Sequence, residues 1–296
     1  MKIVLLGATG QVGRELCGAL AALGDVVACD RRAANLERPE EVVALLARER
    51  PAVIVNAAAY TAVDRAESEP DRARLVNATA VAAIAAEAAR QDAVLVHYST
   101  DYVFDGTAPD CYRETDEPGP RSVYGATKLA GERAIAAAGC RHYVFRTSWV
   151  YAPHGSNFLR TILRLASERD ELAVVADQTG APTSAALVAE VTARFLGSLA
   201  STPPAHGLYH LAPRGAVTWH GYAQAILEAA RGCGLPLRVP PEEVRPLTTA
   251  DYPTAARRPA NSLLCTAKLE SALAGPLANW QDDVIATVAM LAATTR

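Results

Sequence analysis

A doubly wound α/β fold is predicted by two observations. Short, largely apolar and β-branched runs at residues 3–6, 26–29, 53–55, 94–96, 143–146 and 172–175 alternate with longer alanine-rich stretches. Strands covered by helices on both faces read this way, because neither face has to meet water. The first run also passes directly into a glycine turn and a helix, the unit from which such sheets are built. The stretches at 14–23, 41–50, 71–90 and 124–138 have the length and propensity of crossover helices. From about residue 205 prolines and glycines cluster, at 203–204, 213–215, 235–241, 246, 253 and 259, and separate short helices at 219–232 and 279–293. We therefore expect a sheet domain over 1–150, rejoined by strands from about 170–212. Residues 213–296 are expected to form mainly a smaller α/β lobe that closes over whatever the sheet binds.

Composition narrows the function classes. The chain has 296 residues, of which half are hydrophobic and 21% charged, with a formal net charge of -3. That length allows a large core, and the balance of charge argues against a disordered chain and against a nucleic-acid partner. No apolar run approaches the ~18 residues of a membrane span, and the N-terminal run is too short for a signal segment, so a cytoplasmic protein without membrane contact is expected. Six cysteines (Cys17, Cys29, Cys111, Cys140, Cys233, Cys265) show no C-x-x-C spacing and are read as reduced packing residues.

The first strand ends in Gly7-Ala8-Thr9-Gly10-Gln11-Val12-Gly13, followed by a helix. Glycines at Gly7, Gly10 and Gly13 let the backbone turn and approach a pyrophosphate, which would sit on the positive end of the helix dipole. The second strand ends about twenty residues later in Asp30, where a carboxylate meets a ribose 2′-hydroxyl. This is the pattern of an NAD(P)-binding Rossmann domain. Arg31 and Arg32 follow Asp30 and would instead neutralise a 2′-phosphate, so both NADH and NADPH are expected to bind. The third strand ends at Asn56-Ala57-Ala58-Ala59-Tyr60, where small side chains allow a dinucleotide close to the backbone.

A second constellation follows the fourth strand. Ser99-Thr100-Asp101-Tyr102 is succeeded, after a turn-rich loop, by Tyr124-Gly125-Ala126-Thr127-Lys128 at the start of a helix. Residues four apart share a helix face, so Tyr124 and Lys128 can meet one ligand. With three lysines (Lys2, Lys128, Lys268) and ten tyrosines in the chain, about 0.1 such pairs would arise by chance. An ammonium beside a phenol stabilises the phenolate, so Lys128 is expected to pull Tyr124 down towards working pH and make it a usable acid.

These residues carry a resemblance. The glycine turn, the Tyr124 and Lys128 pair and the Thr100 hydroxyl are similar to the extended short-chain dehydrogenase/reductase family. Within it, the strings at 56–64, 98–104 and 145–151, and Asp177-Gln178 followed by Gly180-Ala181-Pro182-Thr183, resemble the dTDP-4-dehydrorhamnose reductases along residues 1 to about 280. The resemblance implies hydride transfer from a nicotinamide to C4 of a 4-keto-6-deoxy dTDP-sugar, with Tyr124 protonating the alkoxide, Lys128 on the nicotinamide ribose and Thr100 on the carbonyl. It implies cofactor contacts at Gly7, Gly10, Gln11, Val12, Gly13, Asp30, Arg31, Asn35, Leu36, Ala58, Ala59, Tyr60, Thr61, Tyr124 and Lys128. Substrate contacts are implied at Thr100, Asp101, Tyr102, Trp149 and Arg258, the last forking onto a diphosphate. Trp219-His220 is family-like too but is read as packing.

Two departures from the family pattern bear on ligands. After Thr183 the chain reads Ser184-Ala185-Ala186-Leu187, with alanine where relatives commonly carry a glutamate that helps bind Mg2+ at a dimer contact. Glu15 and Glu190 are present, but with one carboxylate fewer no metal is expected. Asn35-Leu36 replaces an acidic and aromatic pair on the adenine side. A homodimer is compatible with the sequence but not fixed by it. Two other readings stay open here: a nucleotide-sugar epimerase or dehydratase of the same superfamily, and a non-catalytic regulatory subunit of the same fold.

Overall fold

The computed structural model describes residues 1–294; 295 and 296 of the expected C-terminal lobe lie outside the described residues. Six parallel strands form the central sheet, in the order Gly207–His210, His142–Thr147, Val94–Thr100, Val53–Asn56, Lys2–Leu6, Asp25–Cys29. The chain runs outward from Lys2–Leu6 to one edge, then crosses back to build the other side. That reversal opens a crevice beyond the carboxyl ends of Lys2–Leu6 and Val53–Asn56.

Alternation along each strand sorts side chains into two helix-covered layers. Ile3 and Leu5 face a cluster with Leu16, Leu20, Val188 and Phe195, while Val4 and Leu6 face one with Val42, Leu46, Val81 and Ile84. All four of these strand residues have no exposed surface, which is why the runs are continuous rather than alternating. A third cluster joins Tyr151, Leu159, Ile162, Val174, Tyr222, Ile226, Trp280 and Val284 outside the sheet.

Three expectations are corrected. The run at 172–175 forms Ala173–Val175, but it does not return to the sheet; it pairs with Arg245–Leu247, because the sixth place is taken by Gly207–His210 along His142–Thr147. The helix expected at 71–90 is broken into Pro70–Arg74, a π-helical turn Leu75–Thr79 and Ala80–Gln91. And two cysteines are not reduced packing residues: Cys111 and Cys265 form a disulfide across 154 residues of sequence. A bridge between Tyr112 and Leu264 brings their neighbours together, a proximity no local spacing could announce.

The helix Val123–Ala138 sets the site. Ser122 caps it by accepting from the Gly125 N–H at 3.1 Å, and Gly139 ends it in the left-handed conformation at φ 69°. Its first turn is pressed onto the turn Asp101–Val103: a Cβ on Gly125 would stand 2.1 Å from the Tyr102 carbonyl oxygen. Glycine is what allows Tyr124 to reach the end of the fourth strand.

Candidate active site

Three strand ends meet at the crevice, and the backbone there is too tight for side chains. Gly7 turns at φ +80°, and its N–H and that of Ala8 donate to the Cys29 carbonyl at 2.9 and 3.0 Å. A Cβ on Gly7 would lie 2.7 Å from the Ala58 nitrogen, and one on Gly13 would lie 2.1 Å from the Gly7 oxygen. Gly10 precedes the helix Gln11–Ala21 and offers no side-chain cap, so the first N–H groups of that helix are left for a ligand. This bare, glycine-walled cradle with Asp30 at the next strand end fits a dinucleotide. Gln11 also holds a loop over the turn, accepting from Asn157 Nδ2 at 2.7 Å while its carbonyl faces His154 Nε2 at 3.2 Å. Val12 packs half-buried against the core.

The ribose side is more occupied than the sequence suggests. Asp30 Oδ1 accepts from the Arg32 and Ala33 N–H groups, both at 2.9 Å. Arg31 is paired with Glu37, which also takes Arg72 at 2.8 Å. Asn35 Oδ1 closes a turn on the Glu37 N–H at 3.1 Å. Leu36, expected at the cofactor, is 4% exposed and lies in the core cluster with Cys29 and Val42, where an apolar side chain gains more than at a polar ligand. Ala58, Ala59 and Tyr60 are half-buried and Thr61 is exposed. Asn77, from the π-helical turn, grips the Tyr60 backbone on both sides, accepting from its N–H at 2.9 Å and donating to its carbonyl at 3.1 Å, and reaches Thr127 Oγ1 at 3.2 Å. The wide turn thus ties the third-strand loop to the helix that carries Tyr124.

The hydroxyl constellation assembles at the end of the fourth strand. Thr100 Oγ1 donates to Asp101 Oδ1 at 3.0 Å, beside the Tyr124 phenol. Thr100 also accepts from the Tyr102 N–H at 3.2 Å, and the Tyr102 ring meets Tyr124 edge-on at 5.7 Å. Burial raises the Asp101 carboxyl to about 6, against the pull of the Ser262 and Thr100 hydroxyls. Burial likewise pushes the Tyr102 phenol up to about 12.

The lowering expected for Tyr124 is reversed. Burial pushes its phenol above the ordinary value, and the Thr100 hydroxyl only partly offsets this. The reason is where the lysine points: Lys128, 2% exposed, turns its amine to the Tyr98 carbonyl at 2.6 Å and His97 Nε2 at 3.1 Å. Burial lowers that amine to about 8, partly opposed by Glu132. A raised phenol still suits an acid, since it keeps its proton until charge develops next to it.

The two remaining substrate residues are engaged by protein partners. Trp149, at φ 49°, stacks on Trp219 at 3.6 Å and 13°, so Trp219 belongs to the same aromatic wall. His220 does serve packing, with Nε2 2.8 Å from the Val244 carbonyl. Arg258 reaches Asp64 at 2.6 Å, and its charge works against the rise of the Tyr102 phenol. The sequence alone assigns no role of their own to Ser262, Asn77, Asn56 and His97. For the last two a signal existed: each is a polar residue closing a doubly buried apolar run. Among the described residues no group of three His, Cys, Asp or Glu side chains could hold a metal ion, and no helix is long and apolar enough to cross a membrane.

The family model of the RmlD substrate binding domain matches residues 1–293. The chain is 50% identical over 288 residues to dTDP-4-dehydrorhamnose reductase of Shigella flexneri, covering 96% of each chain. Among solved structures it is similar to a dTDP-4-dehydrorhamnose reductase of Clostridium acetobutylicum (TM-score 0.90, 34% identity, 98% of this chain and 99% of that one). It is also similar to the Bacillus anthracis reductase in complex with NADP (TM-score 0.87, 33% identity, 96% of each chain).

Proposed function

The chain belongs to the family of the RmlD substrate binding domain, and from that premise we propose how its residues divide the work of a dTDP-4-dehydrorhamnose reductase. The reaction is the NAD(P)H-dependent reduction of the 4-keto group of dTDP-4-dehydro-6-deoxy-L-mannose to dTDP-L-rhamnose, the last step of dTDP-L-rhamnose biosynthesis. It is the activity named for relatives that match along 96% of their length. That length of match, at half identity, sets aside the epimerase, dehydratase and regulatory-subunit readings.

The dinucleotide is held by Gly7, Gly10 and Gly13 with the open start of the helix Gln11–Ala21, by Asp30 at the ribose, and by the backbone of Ala58 to Tyr60. When bound it supplies a hydride to the sugar C4. When the sugar binds, Thr100 turns its one O–H from Asp101 to the C4 carbonyl oxygen and fixes its place, while Tyr124, kept protonated by burial, delivers H+ to the alkoxide as it forms. Lys128 steadies the ribose. Asp101 holds the Thr100 hydroxyl at 3.0 Å until the sugar takes that donor. Arg258, released from Asp64, takes the diphosphate, and Trp149 with Trp219 walls the sugar. Residues 1–150, with the strand Gly207–His210, form the cofactor domain, and 213–296 mainly the substrate lobe. The enzyme works in the cytoplasm without nucleic acid, and a homodimer fits it.

One observation carries this assignment of roles: the half-buried Tyr124 stands edge-on to Tyr102 at 5.7 Å at the end of the fourth strand, in the same turn where Asp101 holds the Thr100 hydroxyl. The test follows reduced-nicotinamide absorbance when the pure protein meets dTDP-4-keto-6-deoxy-L-mannose, with wild type beside Thr100→Val. Wild type oxidises the cofactor stoichiometrically with sugar reduced. The variant, unable to donate to the carbonyl, is expected to lose about 10²-fold in turnover; full turnover in Thr100→Val would remove Thr100 from the site.

A further inference from the structure

Behind Lys128 runs a line of buried polar groups that the mechanism above leaves unused. Asn56, His97 and Lys128 are each 2% exposed or less. Asn56 Oδ1 lies 3.2 Å from the Ala58 N–H, Asn56 Nδ2 lies 3.2 Å from His97 Nδ1, and His97 Nε2 lies 3.1 Å from Lys128 Nζ. The line therefore begins at the cofactor loop and ends at the amine.

Its direction follows from its first member. A backbone N–H can only donate, so the Asn56 atom facing Ala58 is the carbonyl oxygen and the atom facing His97 is the amide nitrogen. An amide nitrogen also only donates, so His97 Nδ1 must be the bare ring nitrogen. Burial keeps this imidazole neutral, and its single proton must then sit on Nε2, facing Lys128. An ammonium has nothing but donors. A neutral amine satisfies every link: it donates to the Tyr98 carbonyl at 2.6 Å and accepts from His97 with its lone pair. Every ammonium state sets two donors against each other somewhere along the line, inside a region where water cannot make up for an unmade hydrogen bond.

We infer that His97, oriented by Asn56, is a positioning residue that presents an N–H to Lys128 and so weakens the amine's hold on its third proton. Lys128 is then not a fixed cation but a group whose charge is lost close to working pH. The other groups around it do not reverse this. Glu132 on the same helix favours the ammonium but is paired at 2.6 Å with Arg146 of the fifth strand, and Asn77 and Thr127 are neutral. Tyr124 and, beyond it, Asp101 and Tyr102 complete the titratable surroundings. Burial pushes the amine in the same direction as the line. The inference rests on the reading of Lys128 as a site residue, and it ties the charge at the site to the loop that holds the dinucleotide.

Three lysines in the chain make the test direct. In the full-length protein labelled with 13C at lysine Cε, the Lys128 signal is identified by its loss in Lys128→Arg and followed against pH. We expect its midpoint well below the ordinary ~10.4 of lysine. His97→Gln places a carbonyl acceptor at the amine without adding charge and raises that midpoint by about one unit or more. Asn56→Leu frees Nδ1 to carry the proton and moves it the same way, which covers a His97→Gln protein that fails to fold. Two-bond 1H–15N spectra of the wild type show His97 protonated on Nε2. A midpoint unmoved in the folded variants, or a His97 proton on Nδ1, overturns the inference. Turnover of Lys128→Met judges the catalytic reading separately, so either statement can fail alone.

Discussion

Thr100 and Asp101 are neighbours in one turn with opposite demands. Thr100 needs an acceptor to set its hydroxyl, and Asp101 supplies one from a place where its own charge is poorly tolerated. The Asp101 carboxyl is raised to about 6 by burial, against the Ser262 and Thr100 hydroxyls, with Tyr124 and Tyr102 close by. A carboxyl raised in the folded state favours the protonated form, so its contribution is complete below pH ~4 and is lost as pH rises through about 6. At pH 8 the penalty is about 2–3 kcal/mol. Asp101→Asn should therefore be more stable than wild type at pH 8 by about that amount and nearly equal to it at pH 4, as urea unfolding at the two values will show. A gain independent of pH would deny Asp101 a buried charge. At this scale the sequence displayed which side chains meet, through the i, i+4 spacing of Tyr124 and Lys128. It did not display which way the Lys128 amine turns. That choice is made by a carbonyl and an imidazole on a strand thirty residues away, and with it went the expected lowering of Tyr124.

Elements explain why these side chains meet at all. The helix Val123–Ala138 touches the turn Asp101–Val103 through a glycine, and the first strand's turn touches the third strand's loop through another. A methyl group at Gly125 would stand 2.1 Å from the Tyr102 carbonyl oxygen, so the helix start must lift away. Gly125→Ala is expected to cost about 1–3 kcal/mol of stability and to lower kcat by about 10²-fold, because a shift of about 1 Å separates the acid from the carbonyl. Steady-state kinetics with a matching unfolding curve check both; normal kcat in a destabilised protein would uncouple this contact from the chemistry. Strands and crossover helices were readable from their apolar runs, since burial on both faces leaves a continuous pattern. The strand Ala173–Val175 was readable as a strand but not as to its partner, because three residues carry no address. The π-helical turn at Leu75–Thr79 was hidden inside a stretch with ordinary helix propensity, and only its consequence, Asn77 bonded to Tyr60 and Thr127, explains it.

Across the whole molecule, long-range ties hold the C-terminal segments to the sheet. Arg258 reaches Asp64 at 2.6 Å, the Ser262 N–H donates to the Thr179 carbonyl at 2.8 Å, and the Cys111–Cys265 disulfide closes a loop of 154 residues. Each pins the stretch 256–265 beside the reacting centre. Sequence reading placed that stretch near the substrate by resemblance, yet it took the two cysteines for packing residues, because a pairing over such a distance leaves no local mark. Cys111→Ser is expected to lower unfolding free energy by about 2–4 kcal/mol, chiefly by loosening the unfolded chain's constraint. Reductant should then shift the wild-type urea midpoint but not the variant's. Equal response of both proteins would show that the bond does not form in solution.

All three scales converge on one phenol. The most direct measurement is single-turnover reduction of dTDP-4-keto-6-deoxy-L-mannose by Tyr124→Phe, with the dissociation constant of the reduced dinucleotide measured on the same protein. If Tyr124 is the acid, hydride transfer in this variant is slower by about 10²–10⁴-fold and dinucleotide affinity stays within a factor of about two of wild type. A Tyr124→Phe protein that transfers hydride at the wild-type rate would contradict it.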